Sequence, residues 1–117
     1  MIDPRRGEIW WADLEPVKGD EMNKTRPVVV LSGDEFRSLG PRVTVPITTA
    51  RPAKIGKPWL VPVVASGLNG LKNNSVVDVL QPRGISLARF RDRAGRLSSE
   101  DVDEVKAALA IVLHIGD

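Results

Sequence analysis

Short runs of apolar residues, broken by proline, glycine and polar residues, divide most of the chain. Runs rich in β-branched and aromatic residues are typical of strands. They predict five strands, at GEIWWADLEP (7–16), RPVVVLS (26–32), RVTVPITT (42–49), WLVPVVA (59–65) and SVVDVLQPRGI (75–85). Between the last two runs, LNGLKNN (68–74) has turn chemistry. The basic segment SLARFRDRAGRLS (86–98) is expected to be irregular.

Two of these runs contain an internal proline, Pro46 and Pro62. Proline cannot donate to a β-ladder, so both are expected on sheet edges or at bulges. Bulges bend and twist the strands that carry them. The prolines therefore favour a small, strongly curved sheet over a flat one.

The last segment has helical periodicity. Ser98 with Asp101 three residues later predicts a capped helix start, and Gly116 is expected to stop the helix. Apolar residues recur at helical spacing at Val102, Val105, Leu109 and Val112. Further apolar residues widen this surface, at Ala108, Ile111, Leu113 and Ile115. Such a helix is expected to pack on a barrel or on a second subunit. The whole pattern predicts a mainly β single domain, residues 1–117, with a C-terminal helix and a small bent barrel of SH3-like type.

Composition narrows the function classes. The chain has 117 residues, a formal net charge of +2 and no cysteine, and its pI is about 9.3. The basic residues of the second half are mostly arginines, and five of them fall within residues 83–96. This suggests a basic face, for which an anionic partner and a plain solvated surface are both open explanations. No apolar run approaches membrane-spanning length, and charges occupy the start of the chain where a signal peptide needs its apolar stretch. A cytoplasmic protein without membrane contact is expected.

Few chemistries remain open to this set of residues. The single histidine, His114, falls near the end of the predicted helix, so a histidine-pair acid–base mechanism is excluded. Thiolate catalysis needs cysteine, the carboxylates are not clustered as metal ligands, and no glycine-rich phosphate loop occurs. We therefore expect no metal and no cofactor. Arginine, threonine and glutamate remain, and RNA suits them because its 2′-hydroxyl supplies the nucleophile while an arginine fork stabilises phosphorane charge.

Four segments in order resemble the MazF/PemK-type toxin endoribonucleases, the toxin halves of bacterial toxin–antitoxin pairs. They are RGEIWWADLEPVKGDEMNKTRPVVVLS (6–32), VPITTA (45–50), NSVVDVLQPRGIS (74–86) and GRLSSEDVDEVKAALAIVL (95–113). The resemblance covers nearly the whole chain. The loop in the first segment departs from the family at Asp20 and Met22, where Ser or Thr and Gln are common, and this bears on base preference.

The resemblance implies a metal-free endoribonuclease that cuts single-stranded RNA, works as a homodimer and is silenced by an antitoxin protein. It implies Arg26 and Thr48 as the catalytic pair and Glu21 as a loop residue tied to the site. Arg26 would then be a fixed cation at the proline-stiffened start of a strand. The alternative is a surface arginine whose stem covers the core edge. Neighbouring strand residues point to opposite faces, so only one of Thr48 and Thr49 is expected to face the site.

Several polar and charged residues are candidate RNA contacts, because cations bind phosphates and amides read bases. They are Lys18, Asp20, Asn23, Lys24, Thr49, Arg51, Lys54, Gln81 and Arg83. For the basic ones, a solvated rim is an equally open alternative. Among the three tryptophans, Trp10, Trp11 and Trp59, at least two are expected in the core or an interface, although a tryptophan can also stack on a base.

Two other function classes stay open. Barrels of the CcdB type poison DNA gyrase by binding and cleave nothing. A non-catalytic SH3-like module would bind RNA or protein without turnover. Neither needs Arg26 together with Thr48, so degradation of RNA by the purified protein separates both classes from a nuclease.

Overall fold

The computed structural model describes residues 1–14 and 25–116. Its strands are β1 (Glu8–Asp13), β2 (Thr25–Val30), β3 (Arg42–Thr49), β4 (Leu60–Val63), β5 (Ser75–Asp78), β6 (Arg83–Ile85) and β7 (Phe90–Arg96). The α-helix, α1, spans Ser99–Leu113. Short 3₁₀ helices lie at Asp34–Leu39, Pro52–Lys54 and Leu87–Arg89.

The seven strands form one antiparallel sheet in the order β4–β5–β3–β2–β1–β7, and β6 pairs with the beginning of β3. The predicted mainly β fold with a C-terminal helix is confirmed. The expected count of five strands is wrong. The run 75–85 forms two strands, because Asp78 Oδ1 accepts a hydrogen bond from the Leu80 backbone N–H at 3.0 Å and starts a turn.

The segment 86–98 is also not irregular, since it contains β7. This strand lies at the edge of the sheet and pairs only with β1, through two register shifts. Arg91, Asp92 and Arg93 are all exposed, so the strand lacks the apolar alternation from which a strand is predicted. An edge position with one face in water explains why the sequence pattern missed it.

The two strand prolines occupy different positions. Pro62 lies on β4, an edge strand that pairs only with β5, as predicted. Pro46 lies on the central strand β3, opposite Val28 of β2. The other side of β3 pairs with β6 over residues 42–44 and with β5 over residues 47–49. Pro46 therefore falls between two partners, where no ladder bond is lost, and not at an edge.

The core has two parts, one on each side of β1 and β2. Val29 and Ile9 pack in the larger cluster, with β3, β4, β5 and α1. Val28, Val30 and Trp10 pack in the smaller cluster, with Ile85 and Phe90. Because both faces of β2 are buried, three consecutive valines replace the alternating pattern of a half-exposed strand. Each buried valine side chain contributes about 1.5–3 kcal/mol.

The helix α1 begins as predicted, with Ser98 Oγ accepting a hydrogen bond from the Asp101 backbone N–H at 3.1 Å. It ends earlier than predicted, at His114, which adopts the left-handed conformation with φ 57°. The Ile115 backbone N–H donates to Ala110 O at 2.8 Å and closes the helix there, before Gly116. In the described part of the chain, no helix has the length and apolar character needed to cross a membrane.

A buried arginine ties the start of the chain to the sheet. Arg42, at the beginning of β3, is only 2% exposed. Its guanidinium donates to Pro4 O at 2.8 Å, to Gly40 O at 2.6 Å and to Arg37 O at 3.2 Å. It also pairs with Asp3 Oδ1 at 3.0 Å. Every nitrogen of the fork has a partner, so Arg42 is a structural residue.

Candidate active site

The candidate catalytic pair lies on adjacent strands. The register of β2 and β3 pairs Val28 with Pro46 and Val30 with Thr44. Continued by two residues, this register brings Arg26 opposite Thr48. Arg26 also pairs with Ala12 of β1, and Thr48 with Val76 of β5. The ladder with β1 therefore fixes the backbone of Arg26, and the ladder with β5 fixes that of Thr48.

Two surface clefts meet at Arg26 and Thr48, and both residues line each of the clefts. The first cleft has a volume of about 280 Å³ and is lined by Trp11, Thr25, Arg26, Pro27, Ile47, Thr48, Thr49, Arg51, Leu71, Lys72, Asn73 and Ser75. The second cleft has a volume of about 290 Å³ and is lined by Leu14, Arg26, Pro46, Ile47, Thr48, Lys54, Asp78 and Gln81. A strand of nucleic acid lying across both clefts would pass over the pair.

The cations at the two clefts are largely uncommitted. Arg26 and Arg51 are exposed, and within residues 1–14 and 25–116 no side chain forms a hydrogen bond or ion pair with either guanidinium. Lys54 donates from Nζ to Thr48 Oγ1 at 3.3 Å. This leaves the Thr48 hydroxyl hydrogen free to be donated to a ligand oxygen, because its lone pair is the acceptor. The arrangement suits an anion at Thr48.

A carboxylate and an amide form the far wall of the second cleft. Gln81 Nε2 donates to Asp78 Oδ2 at 2.6 Å. Since an ionised carboxylate can only accept, the amide nitrogen of Gln81 is turned toward Asp78 and its carbonyl oxygen is left available. Gln81 can therefore accept a hydrogen bond from a base edge.

Ionic contacts fix the strand ends next to Arg26. Asp13, at the end of β1, accepts from Thr25 Oγ1 at 2.9 Å and from Arg91 Nε at 2.7 Å. The hydrogen bond from Arg91, and next that from Thr25, hold the pKa of the Asp13 carboxyl below its usual value. Because Thr25 is the residue before Arg26, this contact anchors the start of β2 from one side.

The structure brings together six of the residues expected at the site: Arg26, Thr48, Thr49, Arg51, Lys54 and Gln81. Thr48 lines both clefts, and Thr49 lines only the first. That only one of the two threonines faces the reacting phosphate stays a prediction. Arg83 lines neither cleft; it lies on β6, opposite Thr44.

Five further candidates lie outside the described residues: Lys18, Asp20, Glu21, Asn23 and Lys24.

The three tryptophans, of which at least two were expected in the core or an interface, lie in different environments. Trp10 is buried and packs edge-on against Phe90, with ring centroids 6.1 Å apart. Trp11 lines the first cleft, and Trp59 is 36% exposed.

Sequence reasoning missed five polar residues of the clefts, Thr25, Lys72, Asn73, Ser75 and Asp78. Asp78 ends β5, and the turn that it starts brings its carboxylate to Gln81, a contact that the strand pattern does not show. Lys72 and Asn73 belong to the segment with turn chemistry, and nothing local shows which surface a turn faces. Among the described residues, no three His, Cys, Asp or Glu side chains converge as a metal site requires.

Comparison with known proteins identifies the family of the chain. Residues 5–113 match the model of the PemK-like, MazF-like toxins of type II toxin–antitoxin systems. Endoribonuclease EndoA of Bacillus subtilis (strain 168) is 34% identical over 113 residues, which cover 97% of each chain. Endoribonuclease MazF9 of Mycobacterium tuberculosis is 32% identical over 114 residues, covering 95% of this chain and 97% of that protein.

The fold also has solved counterparts. A chain of the MazE–MazF crystal structure (Form-II) from Deinococcus radiodurans superposes with a TM-score of 0.81 and 23% identity, over 99% of this chain and 100% of that one. At that identity the likeness concerns the fold alone. The bent sheet with its terminal helix is therefore a known architecture.

Proposed function

Since this chain belongs to the PemK-like, MazF-like toxin family of type II toxin–antitoxin systems, we propose that it is a toxin endoribonuclease that cleaves single-stranded RNA. The observation that carries the proposal is the pairing of an uncommitted Arg26 with Thr48 between two clefts. A bare guanidinium beside a hydroxyl donor, with a basic surround, fits the phosphate of a polynucleotide.

The reaction is a transesterification within the substrate. The 2′-oxygen of the ribose attacks the adjacent phosphorus, the new O2′–P bond forms and the P–O5′ bond breaks. The 2′-hydroxyl proton passes to a base, and the departing 5′-oxygen receives a proton. The products are a 2′,3′-cyclic phosphate on the 5′ fragment and a free 5′-hydroxyl on the 3′ fragment. No water and no metal ion take part in this step.

Arg26 and Thr48 stabilise the transition state. Negative charge grows on the non-bridging oxygens as the phosphorane forms, and a planar fork beside it binds that charge in two parallel hydrogen bonds. Thr48 donates its hydroxyl hydrogen to one of the same oxygens, while the Lys54 ammonium donates to a lone pair of the Thr48 hydroxyl oxygen. A guanidinium stays protonated in proteins and is a poor base. Arg26 can donate toward the leaving oxygen, and we assign proton acceptance to Glu21.

The clefts bind the nucleotides on either side of the scissile phosphate. Arg51 and Thr49 in the first cleft, and Lys54 in the second, contact phosphate and sugar oxygens. Gln81, held by Asp78, offers its carbonyl oxygen to a donor on a base. Lys18, Asp20, Asn23, Lys24 and Arg83 remain further candidate contacts.

The protein partners follow from the family and the surface. The chain is proposed to act as a homodimer in the cytoplasm, and the exposed apolar residues at the end of α1, Ile111, Leu113 and Ile115, are available for the second copy. The antitoxin is proposed to lay an acidic segment over the basic clefts, so that carboxylates take the place of phosphates.

Incubation of the purified protein with a long RNA in EDTA tests the proposal. Cleavage at short recurrent sequences, with 2′,3′-cyclic phosphate and 5′-hydroxyl ends, is the expected result. Intact RNA, together with inhibition of DNA gyrase, would instead favour a CcdB-like poison. Binding of RNA without any cleavage would favour a non-catalytic module.

A further inference from the structure

The loop of residues 64–74, between β4 and β5, forms one wall of the first cleft. It places Leu71, Lys72 and Asn73 in the lining, on a different segment from Arg26 and Thr48. Polar surface loops are usually mobile. This loop is built differently, since backbone and side chains hold it at three separate points.

The first point is a buried asparagine inside the loop. Asn69 is 3% exposed. Its Oδ1 accepts from the backbone N–H groups of Ser66 and Leu71, each at 3.0 Å, and its Nδ2 donates to Val64 O at 2.9 Å. One side chain thus crosslinks the loop before and after itself, and the residue preceding Lys72 is one of those it holds.

The second point is a close approach of the loop backbone to β7. Arg96 N–H donates to Leu68 O at 3.0 Å. A Cβ on Gly95 would lie 2.4 Å from Leu68 O, and a Cβ on Gly70, whose φ is +69°, would lie 2.0 Å from Ala94 O. Only glycine permits the two backbones to pack this closely at both positions.

The third point lies after the cleft residues. Asn74 O accepts from the Ala50 N–H at 2.9 Å, which joins the loop to the end of β3 just beyond Thr48 and Thr49. Asn74 Oδ1 accepts from the Ala65 N–H at 2.9 Å, and Ser75 Oγ donates to Asn73 O at 2.8 Å. Lys72 and Asn73 are therefore fixed between Asn69 and the catalytic strand.

The side chains presented by this fixed backbone are themselves uncommitted. Lys72 and Asn73 are exposed. In the described part of the chain, neither the Lys72 ammonium nor the Asn73 amide forms a hydrogen bond or ion pair. A fixed backbone that presents unpaired polar side chains to a cleft is typical of a binding subsite, because little ordering is needed when the ligand binds.

We propose that Lys72 and Asn73 form an RNA subsite in the first cleft, in which Lys72 binds the phosphate next to the scissile one and the Asn73 amide contacts the nucleotide attached to it. Asn69, Gly70 and Gly95 are positioning residues for this subsite. The inference rests on the proposed function, because the ligand is the same RNA strand that Arg26 and Thr48 act on.

Salt-dependent binding tests the subsite. The probe is an RNA oligonucleotide carrying the cleavage sequence with a single 2′-deoxyribose 5′ of the cut, which should bind without being cleaved. Each phosphate contact on a single strand contributes about 0.7 to the slope of log affinity against log salt. Lys72→Gln should lower the slope by about that amount and weaken binding about fivefold at low salt. Lys106→Gln, an exposed lysine on α1 outside both clefts, is the matched control and should leave the slope unchanged.

A second variant tests the positioning. Gly95→Ala should displace the loop and weaken binding of the same oligonucleotide, and adding it to Lys72→Gln should cause little further loss of slope. If Gly95→Ala does not fold, the comparison of Lys72→Gln with Lys106→Gln still tests the subsite. An unchanged slope in Lys72→Gln, in a protein whose parent cleaves RNA, overturns the subsite alone. A parent that neither binds nor cleaves RNA overturns the proposed function and the subsite together.

Discussion

Two arginines near the sheet, Arg26 and Arg42, show how the same side chain serves two purposes. Arg42 starts β3, is 2% exposed and donates to three backbone carbonyls and to Asp3. Arg26, on the adjacent strand β2, is exposed, and its guanidinium has no hydrogen-bond or ion-pair partner among the described residues. Every nitrogen of the Arg42 guanidinium therefore bonds within the protein, whereas the Arg26 guanidinium is available to a ligand.

The difference lies in what surrounds each fork. The Arg42 guanidinium donates to Pro4 O and Gly40 O, for which no other donor lies within residues 1–14 and 25–116, so its removal leaves these two acceptors unpaired. The Arg26 guanidinium meets two clefts, so its removal leaves open space. A buried, fully bonded arginine therefore predicts a loss of stability on mutation, and an unpaired one beside a cleft predicts a loss of activity.

The largest expected effect is on turnover at Arg26. Arg26→Ala should lower the rate of RNA cleavage about a thousandfold, since removal of one preorganised charge donor costs 10²–10³ or more in similar sites. Arg26→Lys keeps the charge but loses the planar fork and should lose about a hundredfold. Single-turnover kinetics with saturating enzyme measure both. Thermal unfolding should be nearly unchanged, and near-parental cleavage by Arg26→Lys would show that the fork is not the active element.

The next effect is on stability at Arg42. Arg42→Ala should lower the free energy of unfolding by about 3 kcal/mol, because three carbonyls and a carboxylate lose a charged donor. Urea denaturation followed by tryptophan fluorescence measures it. Arg26→Ala serves as the matched control on the neighbouring strand and should cost little. Equal losses of stability in the two variants would remove the distinction between them.

The smallest effect concerns acid stability through Asp3. The hydrogen bond from Arg37, and the charges of Arg37, Arg5 and Arg42, hold the pKa of the Asp3 carboxyl below its usual value. A lowered folded pKa stabilises the fold above the unfolded pKa, and this contribution is lost as pH falls through the folded value. The free energy of unfolding should therefore decline below about pH 4.

Asp3→Asn separates this contribution from the rest. The variant should be less stable than the parent at neutral pH and should lose stability less steeply on acidification. Asp13, whose pKa is lowered by Arg91, keeps part of the acid dependence in both proteins. Urea titrations at pH 6, 4 and 3 measure the slopes. Parallel slopes for Asp3→Asn and the parent would show that the Asp3 cluster contributes nothing to acid stability.

The sequence predicted the parts of the site that strands carry. The apolar runs predicted the strands on which Arg26 and Thr48 lie, whereas the family resemblance, and not the strand pattern, singled out these two residues. The sequence pattern did not predict β7, because its exposed arginines interrupt the alternation of apolar and polar residues. The division of the run 75–85 into two strands depends on one hydrogen bond, from the Leu80 N–H to Asp78.

Other features depend on contacts between distant segments, which no local pattern records. The role of Arg42 requires Pro4 O and Gly40 O to meet at one place. The place of Lys72 in the first cleft requires the close packing of residues 68–70 on β7. Pro46 is tolerated on a central strand because β3 changes partner there, from β6 to β5.

The measurement that most directly tests metal-free cleavage by Arg26 and Thr48 uses a chimeric oligonucleotide. The substrate is an RNA with its cleavage sequence intact, in which only the ribose 5′ of the cut is replaced by 2′-deoxyribose. With the 2′-hydroxyl as nucleophile, cleavage at that bond should stop while binding is retained, because phosphates and bases are unchanged. Cleavage of the substituted oligonucleotide at the same bond would show that water is the nucleophile and would contradict the roles assigned to Arg26 and Thr48.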